Sequence, residues 1–145
     1  MLTTRIVAGN DSAFSYVRLK YGSNLTDTVT GVIIYPDDFS FAEAGVGALN
    51  FGANYAITQI DATTWEALED MGCVFLPGTS YLAYNAGLPD LPEKSVGEFG
   101  YYWSSNANNA SQAKSVLFYF APRKIFPAND NNRFQCFAIR LAQDL

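Results

Sequence analysis

Apolar residues along this chain fall into short runs, most with a period of two, separated by Gly, Pro, Asn and Asp. Ala13–Tyr21 (AFSYVRLKY) is rich in β-formers. From Val17 it alternates Val17, Leu19 and Tyr21 against Arg18 and Lys20, which predicts a half-solvated strand. Gly22-Ser23-Asn24 breaks it. Thr28–Tyr35 (TVTGVIIY) predicts a second strand, whose continuous Val32-Ile33-Ile34-Tyr35 suits burial on both faces, and Pro36-Asp37-Asp38 ends it in a turn. Phe39–Ala56, with Gly45, Gly47 and Gly52, predicts irregular chain holding one short helical turn.

The period changes once. Trp65, Leu68 and Met71 recur at helical spacing, so a helix is predicted over Ala62–Met71. Asp61 suits the N-cap, where its carboxylate accepts otherwise orphaned amide protons. Ile60 and Trp65 are placed to staple the entry, and Gly72 provides the left-handed stop. Cys73–Pro77 follows as a short buried strand, and a long loop from Thr79 to Phe99, broken at Gly87, Pro89 and Pro92, comes next.

The last third has its own pattern. Tyr101, Tyr102, Trp103, Ser104 and Ser105 form an aromatic–hydroxyl knot that leads into a turn at Asn106, Asn108 and Asn109. Ser115–Phe120 (SVLFYF) predicts a strand with Val116, Phe118 and Phe120 on one side and Leu117 and Tyr119 on the other. A second Asn-rich turn, Asn129–Asn132, leads to a closing strand, Phe134–Leu141. A strand apolar on both sides is either enclosed or presents one side to solvent. With Tyr101, Phe126 and Phe134 flanking the turns, display of Leu117 and Tyr119 is expected, because rigid rings provide large contact area at low entropic cost. Asn131 and Asn132 are expected to be structural turn residues.

Composition narrows the possibilities. At 145 residues, one domain spanning 1–145 is expected. Aromatics at 15% against charged residues at 16% exclude disorder, and 11 Gly with 6 Pro favour an α+β or β fold rich in loops. The net charge of −5 argues against nucleic acid as partner. Its distribution is uneven: four Lys/Arg against twelve Asp/Glu precede residue 101, and five against two follow. Six of the eleven Asn lie between Asn106 and Asn132. A segment that differs from the rest in composition and sign is a candidate display surface.

No apolar run approaches the length of a membrane span, and Arg5 interrupts any signal-peptide pattern in Met1–Asn10. With no His, the commonest general base and metal ligand are missing. Ser104 and Ser105 therefore have no activating partner, and Asp37-Asp38 falls short of the six to eight oxygens Ca²⁺ takes. No enzyme activity, metal or cofactor is expected. Cys73 and Cys136 are expected to be free thiols.

Three segments in the same order carry a resemblance: WEALEDMGCVFLP (Trp65–Pro77), GYYWSS (Gly100–Ser105) and NNRFQCFAIRL (Asn131–Leu141). Together they resemble the C-type-lectin-like variable proteins of diversity-generating retroelements of Bacteroidales and gut phages, over roughly residues 30 to 143. The resemblance implies an α+β, C-type-lectin-like fold of short antiparallel strands, one or two helices and long irregular loops. It implies a variable region of about 101–136, rewritten at adenines, that binds a protein or glycan receptor, with a virion or bacterial surface location. Carried onto this sequence, the scaffold would be Trp65, Trp103, Ser104, Ser105, Phe118, Phe120, Phe137, Arg140 and Leu141. The displayed positions would be Tyr101, Asn106, Asn108, Asn109, Leu117, Tyr119, Phe126, Phe134 and Gln135. Cys136 stands where the family has Gly, and Ala138-Ile139 where it has Ser-Val. The alternative is a structural or adhesin surface domain of the same fold without diversification.

Overall fold

The computed structural model describes residues 13–21, 27–50, 57–79 and 97–139. The lead-in 1–12, the break at 22–24, the end of the irregular stretch, nearly all of the loop 79–99, and Arg140 and Leu141 lie outside the described residues. The protein is a mixed α+β chain with two sheets and one short helix, and it divides into two compact units, Met1–Pro77 and Gly78–Leu145.

In the first unit, β1 (Phe14–Tyr21) and β2 (Asp27–Ile34) pair antiparallel, from Phe14 opposite Ile34 to Tyr21 opposite Asp27. A short strand, β3 (Thr58–Ile60), runs parallel to β1. The helix α1 (Ala62–Asp70) follows, and β4 (Val74–Pro77) closes the order β3-β1-β2-β4 by pairing antiparallel with β2. The expected alternation in the second half of β1 does not hold. Arg18 is exposed, but Leu19 and Lys20 are both half-buried, and Tyr21, expected on the side of Val17 and Leu19, is exposed at the strand end. Phe14 to Val17 are buried on both faces. Val17, Ile33, Leu68 and Cys73 form the centre of the core, with Trp65 and Phe75 packed against it at a ring separation of 5.7 Å. Phe39 to Val46 adds a helical turn, Ala44 N–H to Ser40 carbonyl, and brings Phe39 and Phe41 against the Tyr35 ring.

Both ends of α1 follow from sequence. Asp61 accepts the Thr64 amide at 2.8 Å, and this bond holds its carboxyl below the usual carboxylate range. At the other end Gly72 (φ +80°) donates to Glu69 and Cys73 donates to Leu68, the two bonds of a Schellman stop. Met71 is therefore the cap and not the last helical residue. No helix among the described residues is long and apolar enough to cross a membrane.

The second unit is a three-stranded antiparallel sheet in the order β5-β6-β7: β5 (Phe99–Ala107), β6 (Gln112–Phe120) and β7 (Arg123–Asn132). The first Asn-rich turn joins β5 to β6, as expected. The second expected turn does not exist: Asn129–Asn132 is the end of β7, and the connection from β6 to β7 is Ala121-Pro122. Asn prefers turns locally, but here β6 offers partners for the whole backbone, with Ser115 opposite Asn129 and Gln112 opposite Asn132. Ladder bonds outweigh that preference.

The expected closing strand is likewise reduced. The chain turns at Arg133–Phe134 and then lies beside β5, where Ala138 donates to Tyr101 and accepts from Trp103, both at 3.1 Å. Ala138 forms an isolated parallel bridge with Tyr102 there, and the described residues Phe134–Ile139 do not make a continuous strand.

Phe118, fully buried, centres the face of this sheet that also carries Tyr102 and Phe120. Its ring lies over Gly100, its register partner, where any Cβ would collide with it. The glycine before the aromatic knot thus exists to admit a ring.

Candidate functional site: the opposite face of the second sheet

Residues directly opposite in an antiparallel pair share a face. Phe99 faces Tyr119, Tyr101 faces Leu117 and Trp103 faces Ser115, while Leu117 also faces Phe126. This side of the sheet therefore carries Phe99, Tyr101, Trp103, Tyr119 and Phe126, and Phe137 packs onto Tyr101 and Trp103 at 4.5 and 4.4 Å between ring centres. The rings touch in sequence: Phe99 meets Tyr101 and Tyr119, and Tyr119 meets Phe126. The Tyr101 and Tyr119 hydroxyls lie 3.4 Å apart, so the patch has a polar point within it.

At one end the aromatic strip passes into amides. The buried Ser115 hydroxyl lies within reach of the Asn129 carbonyl and the Asn131 side-chain oxygen, and the Asn129 amide donates to that same oxygen at 2.6 Å. Asn131 is thus structural, though as a strand residue and not in a turn. The hairpin tip beyond is exposed at Asn106, Asn108 and Asn109. Asn109 is not free: its side-chain oxygen accepts from the Ser111 amide and hydroxyl and the Gln112 amide, all within 3.0 Å.

The expected positions divide accordingly. Phe126 and Phe134 are exposed, at 41% and 64%, while Tyr101, Tyr119 and Gln135 are half-buried. Leu117 is a correction: it was expected to face outward and is only 5% exposed. It sits on the central strand between Tyr101 and Phe126, and a small side chain flanked by larger rings on both neighbours is covered by them. On the scaffold side, Phe118, Phe120 and Phe137 are buried, Trp65 packs against the first unit's core, and Trp103 and Ser104 are half-buried, while Ser105 is exposed.

Beside Trp103 lies an open groove of about 280 Å³, bordered by Ser104, Ser105 and Asn106 from β5 and by Arg133 beyond β7. Ala107 and Ala113, a facing pair of the β5–β6 ladder, also line it. Arg133 was missing from the sequence reading, as was Phe99. The signal for Phe99 was its period-two spacing ahead of Tyr101 and Trp103. Arg133 had no such signal, because its place depends on where β7 ends.

The two thiols differ in access. Cys73 is buried, and desolvation pushes its thiol up to about 11, whereas Cys136 is exposed. Titration of the native protein with a thiol reagent at pH 8 is expected to modify one cysteine rapidly and the second only on unfolding. Peptide mapping should place the fast label on Cys136, and equal rates at both would contradict this burial. Among the described residues, no group of three or more His, Cys, Asp or Glu is placed to hold a metal ion. No protein-family model, curated protein or solved structure matches the chain.

Proposed function

We propose that this chain is a ligand-binding module whose second unit presents its aromatic face and hairpin tip to a protein or glycan receptor. One observation carries the proposal: a continuous set of rings on a single face runs to Phe126, which is exposed at its end, while Phe134 is a second exposed ring in the turn after β7. Rigid aromatics beside exposed amides are the composition of recognition surfaces, where a few rings provide most of the affinity. The finer assignments, a C-type-lectin-like fold and variation directed by a retroelement, belong to the same proposal. Their support is the three ordered motifs together with an α+β architecture.

Leu117 and Asn109 do not fit a freely variable surface, since one is buried and the other holds the turn. They favour, at those two positions, the alternative of a fixed structural or adhesin domain. Comparison of this gene among isolates separates the two. Substitutions at Tyr101, Asn106, Asn108, Tyr119, Phe126 and Phe134 are expected to outnumber those at Trp65 and Phe75 several-fold, with Leu117 and Asn109 behaving like the latter. A near-copy of the 101–141 coding sequence differing only at adenines, beside a reverse transcriptase gene, is the accompanying expectation. Equal substitution at all these positions would sink the variable-surface proposal.

A further inference from the structure

We infer that the groove beside Trp103 binds a sugar bearing a carboxylate, a uronic acid or similar acidic residue of a glycan. This rests on the ligand-binding proposal above and narrows its receptor to one chemical class. Three kinds of group meet there. The Trp103 indole, backed by Phe137 at 4.4 Å, borders the groove and offers an apolar wall to the C–H face of a pyranose ring. Ser104, Ser105 and Asn106 supply hydroxyl and amide groups that both donate and accept, as sugar hydroxyls require. The Ser104 hydroxyl is held in place by the Asn106 amide at 3.2 Å.

Arg133 supplies the charge. Its backbone amide donates to Ser111 and its Nε to the Gln112 carbonyl at 3.3 Å, which fixes the stem of the guanidinium. Among the described residues it pairs with no carboxylate, and the nearby Asp130 is engaged by Lys114 at 2.6 Å. A guanidinium is always charged and its fork matches a carboxylate. The surrounding third of the chain carries net positive charge within an acidic protein, so the local field also favours an anion. The volume decides the size of the ligand. At about 280 Å³ the groove is just below the roughly 300–1,000 Å³ of drug-sized sites, which suits one sugar residue and not an extended chain.

The test uses the full chain labelled with ¹⁵N, whose two tryptophans give two indole signals, assigned with Trp65→Phe. Titration with glucuronic acid is expected to shift the Trp103 signal saturably, with a Kd near about 1 mM, and to leave Trp65 unmoved. Glucose, which lacks the carboxylate, should bind at least about tenfold more weakly, and so should glucuronic acid to Arg133→Gln. Lys124→Gln, which removes an exposed cation outside the groove, should bind as the parent does.

No movement of Trp103 with glucuronic acid overturns the inference, as does full binding by Arg133→Gln. Acetate or a dipeptide C-terminus matching glucuronic acid also overturns it, since the groove would then read a carboxylate alone. The glucose comparison needs no variant and stands even if Arg133→Gln misfolds. Failure here leaves the gene comparison among isolates untouched, and failure of that comparison leaves the titration untouched, so the two proposals fall separately.

Discussion

Phe118→Ala is expected to destabilise the protein by about 3–5 kcal/mol, the usual cost of removing a fully buried aromatic ring. The ring has no solvent exposure, stacks on Tyr102 at 6.1 Å, meets Phe120 edge-on at 5.6 Å and covers Gly100. Gly100 has no side chain to move into the vacated space, so the void persists and its lining loses contacts outright. Urea unfolding followed by circular dichroism measures the change. Phe134→Ala, at a residue 64% exposed, is the matched control and should stay within about 0.5 kcal/mol of the parent. A loss at Phe118 no larger than that at Phe134 would show that the ring is not enclosed.

Leu68→Ala is the second large effect, at about 2–5 kcal/mol. Leu68 is the one fully buried residue of α1 and sits among Val17, Ile33 and Cys73. Leu and Ala are both strong helix formers, so the exchange tests packing and not helix propensity. The backbone role is also unaffected, because it is the Leu68 carbonyl that accepts from Met71 and Cys73 at the helix stop. Leu68→Met, which nearly conserves volume, should cost less than about 1.5 kcal/mol. Similar losses for both substitutions would mean that shape at this position, and not the filled volume, sets the stability.

These two positions differ in how readily the sequence revealed them. Leu68 was plain from helical spacing between a capping Asp61 and a stopping Gly72, and the helix came within one residue of its actual end. β1, β2, β4 and β6 were equally visible, because each carries β-branched or aromatic residues bounded by turn formers. β3 was missed, since three residues are too few to show a period. β7 was missed because Pro127 and the Asn run argue against a strand locally, and only the free edge of β6 overrules them.

The site was legible in the same uneven way. Phe126 and Phe134 are exposed although the Asn129–Asn132 turn they were expected to flank is strand, and Tyr101 and Tyr119, the latter placed by alternation, are half-buried. Leu117 failed because alternation tells which side a residue is on, not whether its neighbours are large enough to cover it. Trp103, Ser104 and Ser105 were expected to serve only as scaffold, and they also border the groove that Arg133 completes. That groove depends on the register of three strands, and no single stretch of sequence encodes it.

Beside two backbone bonds to the Gln112 carbonyl, one side-chain oxygen ties the β5–β6 connection. Asn109 gathers two backbone amides and a hydroxyl, while its own amide group reaches the Gln112 side chain at 3.0 Å. The loop's path is thereby settled without the Asn106 side chain, which borders the groove instead. Evolution can rewrite the chemistry of that tip and keep its trajectory, provided position 109 is left alone.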